Sequence, residues 1–250
     1  MKHNRKDNAV EWQPVKQRIK WIDCAKTVAI IGVLIDHNNG LLYTNQVIAK
    51  GSYFGVSLFI LLAGITAFYT TDVVRGGGRH KYWQGLGKIL WPYAIATFIL
   101  QVWYTRFFDL QTYISYLLHF SIQGPYYFLL FFLQLKLISP FLIMWCRFCN
   151  KQRVSWLWHM VSVVFLCCFS SVLVRYTFML PVHGGGKNLF GGTYLLLYYI
   201  GILMANYRVF ERLKAQRIVV LPVALVLWII WWQLSCWGKL PFDKMLAAYW

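Results

Sequence analysis

The sequence predicts an all-helical, polytopic membrane bundle of about seven spans with its N-terminus on the cytoplasmic side, and three observations predict it. Hydrophobic residues fill 59% of 250 positions and charged residues only 13%, with a mean hydropathy of +0.50. A water-soluble domain of this length has neither so many of the first nor so few of the second. Apolar runs of about 20 residues, the length that crosses a bilayer core, recur along the chain without the period-2 alternation of a transmembrane barrel. Finally, 25 Lys and Arg stand against 8 Asp and Glu, and the basic residues fall mainly in alternate connections between the apolar runs. The same composition excludes a disordered chain, a disulfide scaffold and a coiled coil.

Residues 1–20 form a basic tail carrying Lys2, Arg5, Lys6, Lys16, Arg18 and Lys20. The first apolar run begins only after it and lacks a following small-residue site, so no cleavable signal peptide is expected. From there to residue 250 the chain reads as one transmembrane domain with spans near 21–43, 53–73, 86–104, 125–146, 155–174, 189–206 and 217–237. The tail and the connections at Arg75 to Lys88, Arg147 to Arg153 and Arg208 to Arg217 together hold 17 Lys and Arg. The opposite side holds six, Lys50, Arg106, Arg175, Lys187, Lys239 and Lys244, and Lys26 and Lys136 lie inside spans. Cytoplasmic loops carry the basic excess, so the tail is expected inside and residue 250 outside. Dispersed over short loops, these charges record topology and give nucleic acid no continuous basic face. Membrane lipid is the expected surrounding. The six cysteines sit in or beside apolar runs and read as small buried side chains. Cys146-x-x-Cys149 has zinc-like spacing but no second Cys or His pair nearby, and no metal site is expected.

The first span departs from a plain anchor. An apolar core from Val28 to Ile35 is flanked by Asp23 and Lys26 on one side and by Asp36, His37, Asn38 and Asn39 on the other. An ionised group at mid-bilayer costs on the order of 2.5–3.5 kcal/mol on insertion scales, so such groups face protein or a water-filled cavity. Asp23 and Lys26, three residues apart, can neutralise one another. Lys26 and His37 are 11 residues apart, close to three turns, which puts them on one helix face about 16 Å apart along the axis. A histidine titrating near neutrality can take a proton from a hydroxyl and return it. The alternative is that Asp23 and Lys26 snorkel to the interface and the His–Asn cluster only ends the helix.

Other segments carry weaker signals. Arg75-Gly-Gly-Gly-Arg-His-Lys81 offers backbone N–H groups and cations to phosphates, or is a flexible connector. His183-Gly-Gly-Gly-Lys187 is its outer counterpart and reads as a loop. Gln134 and Lys136 form a second polar pair inside a span. Tyr126 and Tyr127 open the fourth span, as part of an interfacial aromatic belt or as a platform for a sugar.

The run from Arg18 to His37, RIKWIDCAKTVAIIGVLIDH, resembles the opening of the integral-membrane acyltransferase-3 family, with an Asp, a basic residue, and a His eleven positions further on. The Lys form resembles the fucose and polysaccharide O-acetylase branch. Three later segments agree in order: Gly55-Val-Ser-Leu-Phe-Ile-Leu-Leu-Ala-Gly64, Lys88-Ile-Leu-Trp-Pro92, and Gly124-Pro-Tyr-Tyr-Phe128 leading into Gln134, Leu135 and Pro140. Ala63-Gly64 stands where the family usually has Ser-Gly, and the cluster before the third span lacks the usual second Arg. Family members carry roughly ten spans, so the resemblance implies that this chain stops early, after Leu246 to Tyr249 begin another apolar stretch.

The resemblance implies transfer of an acyl group, usually acetyl, from cytoplasmic acetyl-CoA or another acyl-CoA to a hydroxyl of a cell-envelope sugar, polysaccharide or lipid-linked sugar, in a bacterial inner membrane. Acyl-CoA is then a co-substrate and no tightly bound cofactor is expected. His37 is the expected general base, Lys26 the group that orients the donor or compensates oxyanion charge, and Asp23 the group that holds Lys26. Arg79, Lys81 and Lys88 are the expected donor-binding cations, and Asn39, Tyr126 and Tyr127 the expected acceptor contacts. No Gly-x-Ser-x-Gly or Ser-His-Asp pattern supports a serine acyl-enzyme. The competing classes are a small-solute transporter, against which the absence of an inverted repeat counts, and a catalytically inactive membrane scaffold.

Overall fold

The computed structural model describes residues 20–38, 54–74, 79–122, 126–175 and 194–215, with single positions at 42, 48, 52 and 192 and six more between 222 and 230. Among the described residues there are helices and turns and no strand. The helices are α1 (Lys20–His37), α2 (Phe54–Val74), α3 (Arg79–Thr105), α4 (Leu110–His119), α5 (Tyr127–Asn150), α6 (Ser155–Arg175), α7 (Leu195–Asn206) and α8 (Val209–Ala215). Among the described residues three stretches are long and apolar enough to cross a membrane, Gly85–Thr105, Phe128–Asn150 and Ser155–Val172, and Phe54–Thr70 and Leu195–Asn206 are shorter apolar helices. The expected seventh span, 217–237, falls largely outside the described residues.

The described residues add three details to the spans read from the sequence. The first span, expected over 21–43, ends as helix at His37. Asn38 follows as a turn, its side-chain amide donating to the Leu34 carbonyl at 2.7 Å, a local bond that competes with helix continuation. The connection between the third and fourth spans contains α4, which starts where Asp109 caps it by accepting the Thr112 N–H at 2.8 Å. Hydrogen bonds from Thr112 hold the Asp109 carboxyl below the usual carboxylate range, so the cap persists at neutral pH and weakens as pH falls through that depressed value. The basic stretch after Asn206 likewise contains a helix, α8, in place of a plain loop.

Helix α2 is the packing centre. Gly32 of α1 and Gly55 of α2 meet at a crossing so close that a Cβ on Gly55 would stand 2.7 Å from the Ala29 carbonyl oxygen. Nine residues on, Gly64 does the same with α7, where a Cβ would overlap the Tyr198 carbonyl, and a Cβ on Gly201 would overlap that of Leu61. Without a hydrophobic drive between helices in lipid, small residues that admit backbone contact supply the packing. Around these crossings Ile60, Leu62, Ile65, Phe68, Phe131, Leu135, Tyr199 and Ile202 form the main core.

The contacts also align the helix ends. Trp21 at the start of α1 packs on Phe210 of α8 at 4.4 Å, the Arg147 guanidinium near the end of α5 lies over the Phe68 ring near the end of α2, and Asn150 of α5 bonds Asn206 of α7. The start of α1 and the ends of α2, α5 and α7 therefore share one end of the bundle, the end that carries Lys20, Arg147, Lys151, Arg153 and Arg208.

Replacing Gly201 with Ala is expected to destabilise the protein by about 1–3 kcal/mol, the usual cost of overpacking. Gly87→Ala, at a site with no atom within 4 Å of the added carbon, is expected to be neutral or stabilising by up to about 1 kcal/mol. Thermal unfolding of both variants in one detergent checks the contrast, and equal melting temperatures would remove the glycine crossing as a packing determinant.

Candidate active site

Helix α1 is unbroken from Lys20 to His37, so the 11-residue spacing of Lys26 and His37 is realised on one rod. Ile22, Ala29 and Gly32 are its buried residues and mark the side facing α2. Lys26, one turn from both Ile22 and Ala29, is half-buried along that side, and Asp23 is half-buried beside it. Asp23 lies within electrostatic reach of Lys26, and its backbone carbonyl accepts the Thr27 hydroxyl. His37 is exposed at the far end of the helix, with half-buried Asp36 next to it. The opposite side of α1, with Val28, Ile31 and Leu34 about half exposed, is apolar. The helix thus has one face for lipid and one for protein. Lys26 and Asp36 lie on or beside the second, Asp36 four residues after Gly32 and seven after Ala29, and His37 follows at the helix end.

Among the donor-binding candidates, Arg79 and Lys81 belong to the first turn of α3, where a loop was expected. Their side chains lie outside the described residues. Lys88, two turns on, is exposed, and it stands close enough to Lys136 of α5 for the two ammonium groups to act on one another. Lys136 reaches α3 because Gly85 leaves room: a Cβ there would be 2.9 Å from the lysine nitrogen. The structure therefore couples the expected donor cation Lys88 to one of the polar pair inside the fourth span.

Of the acceptor candidates, Asn39 and the Tyr127 side chain lie outside the described residues. Tyr126 packs edge-on against Tyr93 at 5.2 Å, and Tyr93 stacks on Phe120 at 4.5 Å. This places Tyr126 in a small aromatic cluster of α3 and the segment after α4, not against α1. A cavity of about 380 Å³ lies between α2 and α7, lined by Phe54, Ser57, Leu58, Leu61 and Leu197. The Phe54 ring reaches the α1–α2 crossing at Gly32. With one hydroxyl among five side chains, this cavity suits hydrocarbon and not a phosphate.

One polar cluster has no counterpart in the sequence reading. His159 of α6 is 5% exposed. Its Nε2–H donates to the Asn150 carboxamide oxygen at 2.9 Å, leaving Nδ1 to accept from the Tyr199 hydroxyl at 3.3 Å. That tautomer is inferred from the partners. Asn150 and Asn206 exchange two further amide bonds, at 2.9 and 3.3 Å. One turn along α6, Ser162 accepts the Trp145 indole N–H at 2.9 Å and donates to the Trp158 carbonyl. Neutral His159 has a partner at each ring nitrogen, and the cluster joins α5, α6 and α7 at the basic end. It reads as a buried tie between helices. No group of three or more His, Cys, Asp or Glu that could hold a metal occurs among the described residues.

A family model described as an acyltransferase domain matches residues 19–249. No curated protein and no solved structure matches the chain.

His159 and His37 should behave oppositely in a stability assay. His159→Phe keeps the ring volume but leaves the Tyr199 hydroxyl and the Asn150 amide short of a partner, at an expected cost of about 1–3 kcal/mol. His37→Ala, at an exposed helix end, is expected to change stability by no more than about 0.5 kcal/mol. Thermal unfolding in detergent measures both, and a larger loss for His37→Ala would contradict its placement.

Proposed function

The chain belongs to the acyltransferase-3 family, whose model spans nearly all of it, and on that premise we propose that it is a membrane O-acyltransferase, moving an acetyl group from cytoplasmic acetyl-CoA to a hydroxyl of an envelope sugar or lipid-linked sugar. The observation that carries the reading is the single unbroken α1, with half-buried Lys26 beside the α2 crossing and exposed His37 eleven residues further on.

In the proposed reaction the acceptor hydroxyl gives its proton to a ring nitrogen of His37 as its oxygen attacks the thioester carbon. The tetrahedral oxyanion collapses, the C–S bond breaks, and the CoA thiolate leaves and takes the proton back from His37. A free alcohol is too weak a nucleophile at neutral pH without such a base. An axial separation of about 16 Å means that Lys26 cannot also hold the oxyanion formed beside His37. Between the two roles expected for Lys26, its place along the helix favours the donor: it meets the anionic or amide-bearing part of acyl-CoA while the thioester extends toward His37. Asp23 keeps Lys26 charged and oriented. Arg79, Lys81 and Lys88, with Lys136 beside Lys88, supply positive charge for the CoA phosphates from the basic end. Asn39, Tyr126 and Tyr127 remain the proposed acceptor contacts. The apolar cavity beside Phe54 supports a hydrocarbon chain near the reacting end, as a lipid-linked acceptor or a longer acyl group carries. We place the protein in a bacterial inner membrane with its basic end cytoplasmic.

Transfer of radiolabelled acetyl from acetyl-CoA to membrane glycans tests the reading. His37→Ala is expected to lower turnover by about 10²- to 10⁴-fold, the usual contribution of a general base. Lys26→Leu is expected to raise KM for acetyl-CoA strongly, and Lys26→Arg to recover part of the loss because the charge is kept. Full turnover in His37→Ala would remove the assigned chemistry, and an unchanged KM in Lys26→Leu would remove the donor role of the helix face.

A further inference from the structure

Helix α4 does not project away from the bundle. The buried Gln101 side chain of α3 donates from Nε2 to the Asp109 carbonyl at 2.8 Å. The Tyr113 hydroxyl donates to the Ala94 carbonyl at 3.0 Å, and the Tyr93 hydroxyl contacts the Tyr116 and Leu117 carbonyls at 2.9 and 3.1 Å. As the α4 numbers rise from 109 to 117 their partners on α3 fall from 101 to 93. The chain therefore turns at Arg106, in the left-handed region at φ 63°, and runs back along α3. Residues 93–101 lie inside the apolar stretch Gly85–Thr105, so α4 re-enters the level of the bilayer. It ends at Phe120, also left-handed at φ 53° and buried under Tyr93.

Its ten residues sort into three stripes. Thr112, Tyr113, Tyr116 and Leu117 face α3 and are half-buried. Leu110, Ile114 and Leu118, at i, i+4 and i+8, are exposed at 59%, 46% and 70%. Gln111, Ser115 and His119 form an adjacent exposed polar stripe, on which the His119 Nδ1–H donates to the Ser115 carbonyl at 2.8 Å. A helix with one apolar and one polar free face divides lipid from water, and polar side chains at membrane depth face protein or a water-filled cavity.

We propose that α4 is a re-entrant helix in the leaflet at the His37 end, with Leu110, Ile114 and Leu118 against lipid acyl chains and Gln111, Ser115 and His119 facing water. The His37 end follows from connectivity. Helix α2 starts beside Gly32 near that end, α3 returns from the basic end, and α4 begins where α3 finishes. Lipid is the occupant because α4 lies against the apolar stretch Gly85–Thr105, whose own outer surface meets it at Phe98, 44% exposed and in ring contact with Phe108 and Tyr113. A second protein copy is disfavoured because a face three residues long falls well short of the roughly 800 Å² that a stable protein interface buries on each partner. The inference depends on the membrane reading alone, so its failure would leave the proposed chemistry untouched.

Nitroxide scanning tests it in the full chain reconstituted into phosphatidylethanolamine–phosphatidylglycerol vesicles. Leu110→Cys, Gln111→Cys, Ile114→Cys, Ser115→Cys and Leu118→Cys are spin-labelled one at a time, and the signal of the parent's own cysteines is subtracted. Collisions with molecular oxygen, which partitions into lipid, are compared with collisions with a water-soluble nickel chelate. The expected result is an inversion around the helix: oxygen dominates at 110, 114 and 118, and the chelate at 111 and 115. High chelate access at all five positions would make α4 a water-facing loop helix, and low access to both reagents at 114 and 118 would make the stripe a protein interface. Either overturns the proposal. All five side chains are already exposed, and any two of the three apolar positions suffice if one variant does not insert.

Discussion

Helix α2 accepts a neighbour at backbone distance twice, through Gly55 against α1 and through Gly64 against α7. In a bilayer, apolar side chains gain little by leaving lipid for one another, so helix association rests on close packing and on polar ties. The crossing at Gly55 fixes the height and rotation of α1. Lys26 is thereby held along the α2 side, while His37 stands about one turn past the crossing at Gly32, at the end of the bundle. The crossing at Gly64 sets α7, and α7 in turn brings Tyr199 to His159 and Asn206 to Asn150. The candidate base and the buried tie at the opposite end are thus referred to the same helix.

The rest of the bundle follows from having lipid as its outer solvent. Helix α6 exposes Trp156, Leu157, Met160, Val161, Val164 and Phe165 while burying His159, Ser162 and Ser170. A soluble protein would arrange these the other way. Polar groups turned inward need partners: His159 has Asn150 and Tyr199, Ser162 has Trp145 and the Trp158 carbonyl, and Ser170 donates to the Gly192 carbonyl. Thr66 and Thr97 return their hydroxyls to carbonyls one turn back, which satisfies them without a neighbour. Gln101 is the exception among the described residues, with its amide bound to Asp109 and its buried Oε1 without a partner.

Much of this was legible in the sequence, and the parts that were not have identifiable reasons. Long helices could be read because about 20 apolar residues in a row have few uses outside a bilayer, and Lys26 and His37 stood out because charge and titration are costly there. Helix α4 was missed because ten residues between two long spans register only as a connection, although Asp109 and Thr112 already carried its cap. His159 was missed because α6 is apolar almost all round. Its periodicity therefore does not say which side faces protein, and the partners Asn150 and Tyr199, 9 and 40 residues away, define that side. The nearness of Lys136 to Lys88 depends on the absence of a side chain at Gly85, which no pattern within either span records. Asn39 and the side chains of Arg79, Lys81 and Tyr127 lie outside the described residues, so that part of the reading stays with the sequence.

The central claim is that one helix connects a donor drawn from the basic end to an acceptor at the His37 end. Sealed vesicles of the two orientations test it most directly, with acetyl-labelled acetyl-CoA supplied only to the outer medium and label on membrane glycan measured. The account predicts transfer in vesicles that present the Arg147 to Arg153 connection outward and none in vesicles that present the opposite end until they are permeabilised. Equal transfer from both faces, or transfer only with the His37 end outward, would contradict it.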